Sequence, residues 1–432
     1  MNNYSRRRVG LCSAVSAANQ MCHGHSDPAA DPTAQSSNIT LSMIRHNLVI
    51  ALVFFAGLAF LSCSSDENNM RPPPGSANTI AVDFENARAI DVESDRHWAL
   101  LLHTGLGDPG TALQLVDLST PTLLASRLLT DYLELYDVKF IRDTLACFAG
   151  RPHGHIGYAV QFVSLPSLTL STRVIVTPDT AGHAGFLAVD STATFVYYSH
   201  AGGGEHDGVY KIRISNRTIV DADNDGVVPY ALDNELVNGL FNEPGKIFYD
   251  RESQKLVVAN LSDTYVTMIA ASQWGVLDRA ANLSFPIPGT SHLSTGGGPI
   301  SDARATSMAY GAGVYVFAGI DNGQSYLGRF TVNSVGIDLL ETLPGRTWLV
   351  DNANIRIHPR EDIVSVFVLE VDTGGVAIGQ FRLNNLVEVA GSPYRTRTIP
   401  DSVVTTFGLD ISSDRLIVAD SESPRLELIA IN

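Results

Sequence analysis

Apolar residues in this chain come in short runs that recur as pairs. Seven segments share one order: an apolar strand, a polar turn, and a second, longer apolar strand that ends in a small or polar residue. They are "AIDVESDRHWALLLH" ending at His103, "YDVKFIRDTLACFAG" at Gly150, "FLAVDSTATFVYYSH" at His200 and "KIFYDRESQKLVVAN" at Asn260. "SMAYGAGVYVFAG" at Gly319, "IRIHPREDIVSVFVLE" at Glu370 and "GLDISSDRLIVAD" at Asp420 complete the set. Their ends fall about 47–60 residues apart, a period that denotes a propeller or a solenoid.

A third strand follows each pair, from "TALQLVDL" in the first repeat to "RLELIAIN" in the last, and in six of the seven a fourth apolar stretch comes next. Four antiparallel strands per repeat predict the blade of a β-propeller, and seven repeats predict seven blades. The last repeat runs out of chain after its third strand. "NTIAVDFEN", Asn78–Asn86, stands before the first repeat and belongs to no other, so it is expected to supply the missing strand and shut the ring. A solenoid, the competing fold, would have no use for that segment.

Composition agrees with many short strands. The chain has 432 residues, 45% hydrophobic and 17% charged, with 36 Gly and 20 Pro spread without a short period. A formal charge of −16 with no basic face argues against a nucleic-acid partner. Trp98, Tyr197, Tyr198 and Phe367 fall inside second strands and are expected to pack between blades.

The beginning of the chain reads as an address. "LVIALVFFAGLAFLS", Leu48–Ser62, is apolar throughout and preceded by Met43, Arg45 and His46, as the n-region and h-region of a signal peptide are; it is too short for a membrane span. Residues 1–42 carry no periodic apolar pattern and precede this second start at Met43, so they read as a mis-assigned extension. "FLSCSSDENN" resembles a bacterial lipobox, with Leu61 and Ser62 leading into Cys63 before the chain turns polar. That resemblance implies cleavage before Cys63, lipid on its thiol, and a chain held to the cell envelope without a spanning helix. Ser64 and Ser65 after the cysteine imply the outer membrane. An ordinary signal peptide with an incidental cysteine is the alternative. Residues 63–77 are polar and Pro-rich, a tether, and the propeller is expected over 78–432. Of the four cysteines only Cys147 would then remain as a free thiol, a small core residue with no disulfide partner.

The repeats resemble the YVTN and lactonase-like seven-bladed propellers, in which an element of the type I-A-V-S-P-D-G-K-x-L-Y-V-A-N forms the inner two strands of a blade. "LDISSDRLIVAD" and "IFYDRESQKLVVAN" carry the likeness most fully, while the second and fifth repeats lack the usual turn. Such propellers host unrelated functions. Two classes are therefore carried forward. One is a binding or scaffold module for an envelope protein, a glycan or a small molecule, using the loops of the top face. The other, implied by the lactonase-like resemblance, is a hydrolase that opens a ring ester with a metal-activated water.

Two constellations bear on that choice. In a propeller the loop after the second strand and the loop into the first strand open on the same, top, face. His103, His153, His155, His183, His200 and His206 all map to such positions in repeats one to three, with Glu205 and Asp207 beside His206. His153, His155, His200 and His206 are the candidates for a transition-metal site; solvated loop histidines sharing no ligand are the alternative. "DADNDG", Asp221–Gly226, matches the start of a calcium loop, with Asp221, Asp223 and Asp225 as candidate Ca²⁺ ligands. The twelfth position holds Leu232 instead of Glu, with Asp233 and Glu235 nearby, and a plain acidic turn is the alternative reading. The Gly-rich stretches at 107–110, 200–205 and 294–299 do not join a strand to a helix, and no G-x-S-x-G elbow is present.

Overall fold

The computed structural model describes residues 79–431, with breaks of which the longest are 178–184, 275–282, 287–303, 349–354 and 397–403. The expected signal peptide, Cys63 and the tether lie outside the described residues, as do His183, Glu205, Asp225 and Glu235. Among the described residues no helix is long and apolar enough to cross a membrane.

Seven antiparallel sheets account for the strands. A short strand, β1 (Thr79–Ala81), precedes the first blade, which runs β2 (Ala87–Glu93), β3 (Trp98–His103), β4 (Ala112–Asp117) and β5 (Thr122–Leu128). Blade two is β6 (Tyr132–Arg142), β7 (Leu145–Pro152), β8 (Tyr158–Ser164) and β9 (Thr169–Thr177). Blade three is β10 (Leu187–Val189), β11 (Phe195–His200), β12 (Gly208–Arg213) and β13 (Thr218–Val220), with β14 (Leu232–Asp233) also paired to β12. Blade four is β15 (Pro244–Asp250), β16 (Lys255–Asn260), β17 (Tyr265–Ala270) and β18 (Leu283–Pro286). β19 (Arg304–Gly311), β20 (Val314–Asp321), β21 (Gln324–Val332) and β22 (Ile337–Pro344) form blade five. Blade six holds β23 (Thr347–Trp348), β24 (Ile355–Pro359), β25 (Val364–Asp372) and β26 (Gly375–Arg382). β27 (Val404–Asp410), β28 (Arg415–Asp420) and β29 (Arg425–Ala430) form blade seven with β1.

The first strands of the blades touch in cyclic order, β2 to β6, then β10, β15, β19, β24 and β27, and β27 returns to β2. They are therefore the innermost strands, arranged around a central channel, and the architecture is a closed seven-bladed propeller. β1 completes blade seven by pairing antiparallel with β29, Thr79 opposite Glu427, Ile80 opposite Leu426 and Ala81 opposite Arg425. The Val82 N–H extends the ladder to the Pro424 carbonyl at 3.0 Å. The closing strand is shorter than the expected Asn78–Asn86, because residues past Val82 leave the ladder to enter blade one.

Each blade is covered on both faces by its neighbours, and this explains why the second strands are apolar at nearly every position. Along β3, Leu100 and Leu102 join a buried cluster with Leu135, Val138 and Phe148 of blade two, while Ala99 and Leu101 join Ile417, Ala419 and Leu426 of blade seven. Seven such clusters lie in the seven gaps between blades, so the core is a ring of interfaces rather than one centre. Tyr197, Tyr198 and Phe367 are buried in it as expected, and Cys147 packs between blades two and three, where burial pushes its thiol pKa well up.

In blades three, four and seven the turn between first and second strands is built by one acidic side chain. Asp190 accepts the N–H groups of Thr194 and Phe195 at 2.8 and 2.6 Å; Asp250 accepts from Glu252 at 2.9 Å; Asp410 accepts from Ser412 at 3.2 Å. The chain then passes through a left-handed residue, Ala193, Gln254 or Asp414, before the next strand, as it does at His97 in blade one. In blade six the outer edge is reduced to two isolated bridges, Ile378 to Tyr394 and Phe381 to Glu388. "AGSPY" explains the break, since Pro393 has no N–H to give and Gly391 adopts a positive φ of 94°.

Candidate functional site

The histidine sector on the top face divides into two kinds. His103 and His200 end β3 and β11 and are buried, at 1% exposure each. The Nδ1–H of His103 donates to the Glu85 carbonyl at 2.9 Å, pinning the link between β1 and β2. Burial lowers its pKa to about 4, against weaker opposition from the Glu85 carbonyl and Gln114. His200 lies among the rings of Tyr158, Tyr198 and Tyr210, with centroids 5.2–6.3 Å away. A Cβ at Gly202 would come within 2.8 Å of His200 Nε2, so only glycine lets the loop pass this close. His153 and His155, in the loop after β7, and His206, before β12, are exposed. Asp207, next to His206, is buried and accepts the Glu243 N–H at 2.8 Å, tying that loop to the entry of blade four. Among the described residues no group of three or more His, Cys, Asp or Glu side chains could hold a metal ion, so His153, His155, His200 and His206 are not brought together as one ligand set.

The acidic turn between blades three and four is capped by its own first residue. Asp221 accepts the N–H of Gly226 at 2.7 Å and of Asp223 at 3.3 Å, and Gly226 takes a positive φ of 77°. Asp223 is exposed. Leu232 and Asp233 at the far end form β14; both are buried, and the Asp233 carboxylate accepts the Leu236 N–H at 3.2 Å.

A different cluster, one that sequence reading missed, lies on the innermost strands. Arg88 of β2, Lys139 of β6, Lys246 of β15 and Arg356 of β24 stand on the innermost strands with Asp91 of β2 and Asp137 of β6, near enough for their charges to act on one another. The two carboxylates are structurally committed. Asp91 accepts the Phe140 N–H at 2.7 Å and Asp137 accepts the Leu187 N–H at 2.9 Å, so each staples its own inner strand to that of the next blade. Lys139 lies 3.5 Å from Asp91 and 3.8 Å from Asp137. Burial works against its charge, but the two aspartates outweigh that and raise its pKa.

The other three cations have no such partner. Lys246 Nζ stands 4.1 Å from the centre of the Phe186 ring, and Arg88 lies over Tyr136 at 5.7 Å. Arg356 reaches across to the Ile90 carbonyl at 3.1 Å and also donates to its neighbour's carbonyl, Ile355, at 3.1 Å. Among the described residues no carboxylate pairs with Arg88, Lys246 or Arg356. Burial lowers the Lys246 pKa to about 8; Asp137 opposes the shift, and Lys139, Arg356 and Arg88 add to it by repulsion. Arg356 is lowered too, by burial, with Asp91 and Asp137 opposing. The one signal in the sequence was a basic residue inside the first strand of several repeats, as in "ARAID", "DVKF", "GKIF" and "IRIH".

These features define the class of protein, a closed seven-bladed propeller with a locally basic channel inside an acidic chain. No protein-family model matches the chain, and a search of curated proteins returns no match. Solved propellers do match in fold. The β-propeller domain of Cps50 (Swd1) from Myceliophteria thermophila aligns with a TM-score of 0.53 at 9% identity, covering 82% of this chain and 100% of that one. Raptor from Chaetomium thermophilum aligns with the same TM-score and identity, over 82% of this chain and 28% of its own length. At that identity the likeness is one of fold alone.

Proposed function

We propose that this protein is a binding module tethered to a bacterial envelope. Cys63 carries the lipid after residues 43–62 are removed, residues 63–77 space the ring from an outer membrane, and the top-face loops receive an envelope protein, a glycan or a small molecule. The observation that carries the reading is the closed ring, which holds loops from separate blades on one rigid frame around a channel mouth. Its partly exposed basic groups on the inner strands favour recognition of a ligand there. Kinship with the YVTN and lactonase-like propellers, on the strength of "LDISSDRLIVAD" and "IFYDRESQKLVVAN", is part of the same proposal. So is a structural calcium ion on Asp221, Asp223 and Asp225, clamping the connection into blade four.

One set of measurements on chelator-treated full-length protein tests these points. Calcium is expected to raise the melting temperature, and an unchanged melting temperature removes the calcium proposal. Zinc is expected to elicit no hydrolysis of a ring ester. Turnover that returns with zinc and is lost in His153→Ala would show a hydrolase instead of a module. Incorporation of a palmitate analogue is expected in the wild type and not in Cys63→Ser, and equal labelling of both would refute the anchor.

A further inference from the structure

We infer that the central channel binds a small polyanion, one carrying two or more carboxylate or phosphate groups. The inference deepens the binding-module reading and rests on it. Three cations come from three separate blades, Arg88 from blade one, Lys246 from blade four and Arg356 from blade six, and all stand on innermost strands of the closed ring, Arg356 reaching as far as the Ile90 carbonyl of blade one at 3.1 Å. The two carboxylates beside them also hold the inner strands together. Asp91 and Asp137 hold backbone N–H groups of the next blade and share Lys139 between them; their charge also acts on Arg356, and that of Asp137 on Lys246, without an ion pair to either.

The cluster sets four cations, Arg88, Lys139, Lys246 and Arg356, against two carboxylates, an excess of positive charge in a chain whose formal charge is −16. Holding like charges together in a partly buried site is unfavourable unless a ligand of opposite charge compensates. A single carboxylate could face only one of three blades at a time. An anion with several acidic groups can engage Lys246 and Arg356 together, Lys246 as a point charge and Arg356 through its planar fork. Arg88, exposed toward solvent, would meet the anion at the channel's rim and steer its approach.

Calorimetric titration of the full-length protein with citrate and with pyrophosphate, using acetate as the single-charge control, tests the inference. Saturable 1:1 binding of citrate or pyrophosphate and none of acetate is expected, and which of the two binds more tightly separates a carboxylate ligand from a phosphate one. Lys246→Met and Arg356→Met are expected each to weaken binding at least ~10-fold. Arg88→Gln, at an exposed position whose loss the fold tolerates, is expected to weaken it by a smaller factor, and Lys255→Met, at the start of β16, to leave it unchanged. Absence of saturable binding by either polyanion, or binding that Lys246→Met and Arg88→Gln both leave intact, overturns the channel site. Such a failure leaves the module reading standing, whereas zinc-dependent ester hydrolysis would overturn the module whatever the titration gives.

Discussion

His103 illustrates how one side chain ties two parts of the ring. It ends β3 in blade one, and its Nδ1–H reaches the Glu85 carbonyl on the link from β1, so a buried imidazole joins the closing segment to the first blade. Its pKa is lowered from 6.5 to about 4, chiefly by burial. The folded chain therefore refuses a proton that the unfolded chain accepts between those values. The stability this residue contributes is fully present above pH 6.5 and is lost as pH falls toward 4. The loss amounts to roughly 3 kcal/mol, each tenfold change in proton affinity being worth about 1.4 kcal/mol. Chemical denaturation at pH 7 and at pH 4.5 is expected to show a larger drop for the wild type than for His103→Gln, which keeps a donor for Glu85 without a titrating ring. Equal drops would mean that His103 is not buried neutral. The histidine sector was legible as a set of positions, since strand ends and loops can be placed from the repeat. Which way each ring points was not, because the end of a strand gives no reliable sign of which face it serves, and His200 turned into a nest of tyrosines.

At the scale of the element, the acidic turn between the first two strands recurs in blades three, four and seven. Asp410 shows it most fully: it accepts from Ser412 N–H and Oγ and from Ser413 Oγ at 2.5–3.2 Å, and His97 Nδ1 lies 2.9 Å away from the neighbouring blade. The carboxylate pKa is held down by those hydrogen bonds, although burial acts against them. Asp410→Ala is expected to cost about 1.5–3 kcal/mol in denaturant unfolding, the range for hydrogen bonds to a charged group. A cost near zero would show that the turn is held by its backbone alone. This element could be read from sequence, because polar residues between two apolar runs at fixed spacing have few other uses. Blade six was harder, since Gly391 and Pro393 break its outer strand into single bridges. β1 was placed correctly but drawn too long, because "NTIAVDFEN" stays half apolar after its backbone has left the ladder.

For the whole molecule, seven interfaces replace a single core, and closure decides whether all seven exist. Without β1, Ile80 and Val82 would leave the cluster between blades seven and one, and β29 would become an open edge. The channel cations belong to this scale as well. Arg88 and Arg356 are 268 residues apart in sequence and meet only because the ring closes, so no local pattern could announce the site. Amide hydrogen exchange followed by peptide mass spectrometry measures closure most directly. Peptides covering residues 79–82 and 425–430 are expected to be protected together in the wild type, and to lose protection together in Ile80→Asp, which puts a charge in a buried position. Free exchange at 79–82 while 425–430 stays protected would contradict the closed ring.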